Sequence, residues 1–257
     1  MEYLLDLSAE IPSSSPSEGF GLALARVWQK TRDFPFLISS HLNHQVKFHI
    51  IANKNDQFNM NDLWNSLFTY PDWGYVIYRT TYSAESDTLF PDAIRYIEAC
   101  IKQAFFQENK EDPIIEPNEI WAKYRSTIVQ DPTQFNGASL EAIRAHFEAW
   151  VNAQAMRDDW TKWRMCMIID EESLQTLKGT SVEALENKRL ENSDDELRCV
   201  KVLEAFPYTD QYDKFPGWMR CWIYALWDLW AMMGDGDEMR QLFDCIDDFP
   251  FKGVYCG

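Results

Sequence analysis

The chain has 257 residues, 46% of them hydrophobic, with 24 Lys and Arg against 41 Asp and Glu, a net charge of -17, and 11 tryptophans. That apolar fraction is ordinary for a globular protein and excludes an intrinsically disordered acidic chain. The acidic balance argues against nucleic acid and anionic lipid as partners, because both demand clustered Lys and Arg.

The N-terminus places Glu2 and Asp6 where a secretory signal would be basic, so no signal is expected. Ile11-Pro-Ser-Ser-Ser-Pro16 reads as a connector. Leu22, Ala25, Val27 and Trp28 predict a modest helix, and Val46, Phe48 and Ile50 alternate with polar residues as in a strand over 45–52. Residues 1–60 are expected to form an N-terminal extension packed on one main domain, residues 61–257.

A short helical turn over Asp62 to Phe68 precedes the clearest strand, Trp73 to Tyr82, which is almost wholly β-branched or aromatic. Phe90, Ile94, Ile97, Ile101 and Phe105 then share one face of a long helix. Ile120, Trp121, Tyr124 and Ile128 predict a second helix. Leu140, Ile143, Phe147, Trp150 and Val151 predict a third, with Ser139 as its N-cap. Arg164 to Asp170 reads as a strand running into a short helix with acids in its first turn, where they suit the helix dipole. Residues 183–196 are charged and polar, an exposed excursion. A last strand, Arg198 to Ala205, leads to a buried helix over Trp218 to Met233, and Met239, Leu242, Phe243 and Ile246 close with an amphipathic helix. The Trp218 to Met233 stretch, broken by Arg220 and Asp228, is too short to cross a bilayer, so no membrane is expected. Few, scattered strands without a Gly-rich turn argue against a doubly wound parallel sheet. The expected class is α+β, a small mixed or antiparallel sheet covered by helices.

Cys100, Cys166, Cys199, Cys221, Cys245 and Cys256 form no C-x-x-C pair, and most lie in apolar segments, which fits a reduced, cytoplasmic protein. Several segments together carry a resemblance: W-G-x-x-I-Y-R-T-x-Y over Trp73 to Tyr82, Asp131-Pro132 with Asn136-Gly-Ala-Ser139, Ile143-Arg144 with Phe147 and Trp150-Val151, the Met167 to Leu174 turn, and Gly217-Trp218-Met219. Over residues 70–235 the chain resembles a large group of fungal hypothetical proteins. The resemblance implies a filamentous-fungal origin and a role in specialised metabolism or as an accessory interaction protein.

Among candidate site residues, Arg79 stands first. It shares a strand face with Tyr75, Ile77 and Thr81, while Val76, Tyr78, Thr80 and Tyr82 face the other way. A mid-strand guanidinium needs a partner. It is either a structural ion pair with Asp170 or Glu204, or an anion anchor in a pocket lined by tyrosines. Asp170, Glu171 and Glu172 read either as a helix cap or as a general base at a strand's end. His146, near the apolar face of its helix, is a structural histidine or a general acid and base. Asp194-Asp195-Glu196 is solvated loop.

His41, His44 and His49 have a superficially zinc-like spacing without a Cys or carboxylate close by, and Asp235-Gly-Asp237-Glu238 lacks the length of an EF-hand. No metal is expected. There is no P-loop, G-x-G-x-x-G or G-x-S-x-G, and no cofactor is expected. Trp218, Trp222, Trp227 and Trp230 surround their predicted helix, as core or as the wall of a cavity. The leading expectation is a cofactor-independent small-molecule isomerase, cyclase or lyase. Its candidate polar groups are Arg79, Asp170, Tyr78, Tyr82 and His146, with Trp218, Trp222 and Tyr75 lining the pocket. The rival is a non-catalytic interaction module with an acidic surface.

Overall fold

A computed structural model describes residues 60–110, 116–157, 160–187, 197–207, 214–234, 238–246 and 251–257. All belong to one compact unit, Asn59–Gly257. The helix predicted near Leu22, the strand over 45–52, the histidines 41, 44 and 49, and the Asp194 cluster lie outside the described residues.

The first helix, α1 (Met60–Thr69), leads to β1 (Val76–Arg79), all four of whose residues are buried. Ser83 then caps α2 (Ala84–Glu108) by accepting a hydrogen bond from the Ser86 N–H, and Phe90, Ile97, Ile101 and Phe105 form its buried stripe as their spacing predicts. After α3 (Pro117–Trp121) comes a departure from the sequence pattern: β2 (Thr127–Val129) is a strand, not the end of a helix through Ile128. The Trp73 and Arg125 backbones pair before it, the Arg125 N–H donating to the Trp73 carbonyl at 2.7 Å. Gly74, at φ +128, allows that approach, since a Cβ there would stand 2.5 Å from the Arg125 carbonyl oxygen.

Next come α4 (Pro132–Phe135), α5 (Leu140–Ala153) with Ser139 as its observed N-cap, α6 (Thr161–Arg164), β3 (Met165–Ile169), α7 (Glu171–Leu177) and α8 (Val182–Asn187). The chain closes through β4 (Cys199–Glu204), β5 (Trp218–Trp222), a turn of 3-10 helix over Ile223–Ala225, α9 (Leu226–Gly234), α10 (Met239–Phe243) and β6 (Val254–Tyr255). The predicted Trp218 to Met233 helix is therefore corrected to a strand, a tight turn and a shorter helix. Met219 and Cys221 are buried while Trp218, Arg220 and Trp222 are half-exposed, the period of two that pairing with β4 imposes.

The protein is α+β. Its mixed sheet has the order β2-β1-β3-β4-β5-β6, with β1 parallel to β2 and β3, β4 antiparallel to both neighbours, and β6 parallel to β5. Helices cover both faces. On one, Tyr75, Ile77, Met167, Val202 and Met219 pack with α2 and α9 into a core that includes Trp73, Trp227 and Trp230. Trp73 touches Phe105, Trp121, Tyr124, Trp227 and Trp230 with ring centroids 4.9–5.9 Å apart, so the tryptophan excess is largely spent on this core. On the other face Val76, Tyr78, Cys166, Ile168 and Leu203 meet Ile143, Phe147 and Val151 of α5. All six cysteines are free thiols.

Candidate active site

The carboxyl ends of β1 and β3 carry Arg79 and Asp170, but the two do not pair. Arg79 donates to the Thr81 carbonyl at 2.8 Å and to Ser86 Oγ at 3.0 Å, and it forms an ion pair with Asp87. Its guanidinium lies 4.6 Å from the Tyr82 ring centre and 4.8 Å from that of Phe90. The partners expected from other strands, Asp170 and Glu204, are displaced by groups on the first turn of α2, because the chain passes from β1 into that helix within five residues. The guanidinium thus helps to hold the strand-to-helix turn through Nε and one terminal nitrogen and through its contacts with two rings. Tyr82 is also bound at both ends of its hydroxyl, donating to the Arg79 carbonyl at 2.9 Å and accepting from the Asp131 N–H at 2.9 Å.

Asp170 caps α7, accepting from the N–H and hydroxyl of Ser173, each at 2.9 Å, and is paired with Lys201. Lys201 reaches Glu172 at 2.8 Å, and Glu172 accepts from Arg220 Nε at 2.9 Å. The hydrogen bonds from Arg220 and Lys201 pull the Glu172 carboxyl down to about 2. Trp218 lies beside this chain of charges, about 6 Å from Lys201 and Arg220 alike, while Trp222 packs on Tyr224 at 4.8 Å. Neither is on a helix with Trp227 and Trp230. Tyr75 is a core residue: its buried hydroxyl donates to the Leu226 carbonyl at 2.8 Å and ties β1 to α9.

Besides the neighbours Arg79 and Tyr82, two sequence-predicted residues from distant segments converge. Tyr78, buried on β1, shares a 2.7 Å hydrogen bond between its Oη and Nδ1 of His146 on α5, across 68 residues of chain. The strand's alternation points Tyr78 at the α5 face, and the helical period puts His146 beside Phe147 on the flank of the buried stripe. Phe135 of α4 closes the arrangement, edge-on to Tyr78 at 5.4 Å and to His146 at 5.0 Å. Burial pushes the Tyr78 phenol well above its ordinary range, so it stays a neutral hydroxyl. A neutral hydroxyl both donates and accepts. It therefore supports either tautomer of the imidazole, and His146 can give or take a proton at Nε2 without losing its partner at Nδ1.

Sequence reasoning missed the third feature, at the opposite end of the sheet. Glu204, the last residue of β4, is buried, and its carboxyl is pushed up to about 7 by that burial. Arg164 at 4.0 Å, the Met239 N–H and the more distant Arg144 act against the shift, and Glu238 reinforces it. The register Met165↔Glu204 brings the end of α6 to it. Nothing local in the sequence marks Glu204, because the groups that act on it, Arg164 and the Met239 N–H, come from distant parts of the chain.

Among the described residues no group of three or more His, Cys, Asp or Glu is arranged to hold a metal ion, and no helix is long and apolar enough to cross a membrane. Compared with family models, curated proteins and solved structures, the chain matches none.

Proposed function

We propose that this chain is a cofactor-independent enzyme that acts on a small molecule by proton transfer, an isomerase, cyclase or lyase, with His146 exchanging the proton. The observation that carries the reading is the 2.7 Å hydrogen bond between Tyr78 Oη and His146 Nδ1. Imidazole is the side chain most often used for general acid and base catalysis. Tyr78 is its positioning residue, holding the ring through Nδ1. The rings of Phe135 and Phe147 make the surroundings aromatic, which favours an apolar or aromatic substrate. Arg79, Asp170 and Tyr82 take structural roles beside this site: their polar atoms hold turns and caps together. The likeness to fungal proteins adds specialised metabolism as the setting.

The test uses proton exchange, which reads the proton-transfer step itself, whatever product follows. A panel of enolisable ketones, aldehydes and 1,3-dicarbonyl compounds is incubated with the full chain in D2O, and deuterium uptake is followed by mass spectrometry. Uptake is expected for at least one member of the panel and should fall by about 100-fold or more in His146→Gln, the scale of a lost general acid or base. Tyr78→Phe keeps the imidazole but frees its orientation, so a smaller loss with an altered pH profile is expected. Uptake that is equal in His146→Gln and the unaltered chain would overturn the assignment.

A further inference from the structure

β2 lies at one end of the strand order and, among the described residues, pairs only with β1. The other end of the sheet is blunted, since β6 has two residues and both are buried. Among the described residues no strand pairs with the outer side of β2. Ile128 is one of the exposed large hydrophobic residues, at 36%, and Arg125 and Gln130 are exposed beside it. Residues 126–130 contain neither the charge nor the proline with which proteins commonly guard an edge against pairing.

We propose that this edge is a self-association surface: two copies of the chain pair residues 126–130 antiparallel about a twofold axis at Ile128, making one continuous sheet.

Two independent features fit that axis. The first is backbone direction. The N–H groups of Arg125 and Thr127 point inward to the carbonyls of Trp73 and Tyr75, at 2.7 and 2.9 Å, and that of Asp131 points inward to the Tyr82 hydroxyl. Strand alternation then turns the N–H and C=O of Ser126, Ile128 and Gln130 outward. In an antiparallel pair centred on Ile128, Ile128 opposes its own copy and Ser126 opposes Gln130, so each facing pair exchanges both hydrogen bonds. A centre at Thr127 or Val129 would leave inward-pointing groups facing each other.

The second feature is charge. Arg125 stands three residues before Ile128 and Asp131 three residues after it, so the same twofold places Arg125 of each copy opposite Asp131 of the other. The Asp131 carboxylate caps α4 through Thr133 and lies at the surface, and Arg125 is exposed, donating to the Tyr124 carbonyl. An isologous contact requires this kind of self-complementarity. Ile128 meets Ile128 on one side of the joined sheet while both ion pairs form on the other.

Sedimentation of the full chain tests it, at about 0.15 M salt, where the Debye length of about 8 Å limits repulsion between two acidic copies. A concentration-dependent dimer is expected over about 10–500 μM, the range for a contact of strand-edge size. Ile128→Pro removes an outward donor that β1 does not use and should abolish the dimer with the melting temperature nearly unchanged. Arg125→Glu sets like charges against each other twice and should weaken the dimer about tenfold or more. The double variant R125E/D131K should recover affinity to within about threefold, with circular dichroism confirming that it folds despite losing the α4 cap. A chain that stays monomeric across the whole range would overturn the proposal, as would a dimer unaffected by Ile128→Pro. A folded double variant no tighter than Arg125→Glu would overturn the twofold at Ile128.

Discussion

The two ends of the sheet hold their buried charges in different ways. Where β1 and β3 finish, Arg79, Asp170 and Lys201 each meet opposite charge and further hydrogen-bonding groups at contact distance. Where β4 finishes, Glu204 has Arg164 only at 4.0 Å, one backbone N–H, and a like charge in Glu238. Desolvation costs a buried carboxylate several kcal/mol, and only close, well-bonded partners offset it. At the first end such partners are in place. At the second end burial prevails, and the group titrates near neutral pH.

The largest expected effect comes from removing the titration. The folded-state value of Glu204, about 7, lies above the ordinary 4.5. Its contribution to stability is therefore fully present below about pH 4.5 and lost as pH rises through 7. Glu204→Gln mimics the protonated acid at all pH values. It should match the unaltered chain at pH 4.5 and exceed it above pH 8 by up to about 3 kcal/mol, taking about 1.36 kcal/mol per unit. Urea unfolding at several pH values reads this directly, and parallel curves for the two proteins would refute it.

Arg79→Ala tests the opposite end and should act with the opposite sign. It strips hydrogen-bonding partners from Ser86 and the Thr81 carbonyl and removes a guanidinium that contacts the Tyr82 and Phe90 rings. Asp87 is 63% exposed and is rehydrated easily, so the loss is expected at about 2 kcal/mol, or about 4–8 °C in a unit of this size. A melting temperature unchanged by Arg79→Ala would show that the turn does not depend on the guanidinium.

How much of this was legible in the sequence follows the same division between near and far. Local signals served well. The Ser139 and Asp170 caps, the stripe of α2 and the continuous apolar run of β3 all depend on neighbours within a few residues, and each element formed as its pattern implies. β5 was not legible because bulky apolar residues fill nearly every position from 218 to 233, so no period separates strand from helix until β4 supplies a partner. β2 failed for the same kind of reason: three residues carry no period, and pairing with β1 makes them a strand. Strand parity correctly separated Tyr78 from Arg79, yet nothing near either Tyr78 or His146 told that α5 would lie over β1. Glu204 required still more, a helix start from 35 residues further on.

The smallest effect sharpens the contrast through its sign. Glu172 accepts from both Arg220 and Lys201, and its folded value, about 2, lies below the ordinary 4.5. Its stabilising contribution is present above pH 4.5 and is lost as pH falls through 2, the reverse of Glu204. Because the Glu172 side chain is 45% exposed, solvent screening leaves much less than the shift alone suggests, about 0.5–1 kcal/mol. Glu172→Gln should therefore lower stability by that amount at pH 7 and by nothing near pH 2. Added salt should shrink the difference, since a half-exposed pair is open to screening. A Glu172→Gln penalty that persists undiminished at pH 2 would mean that the side chain acts by packing, and that the end of the sheet at β1 and β3 owes its stability to shape more than to its paired charges.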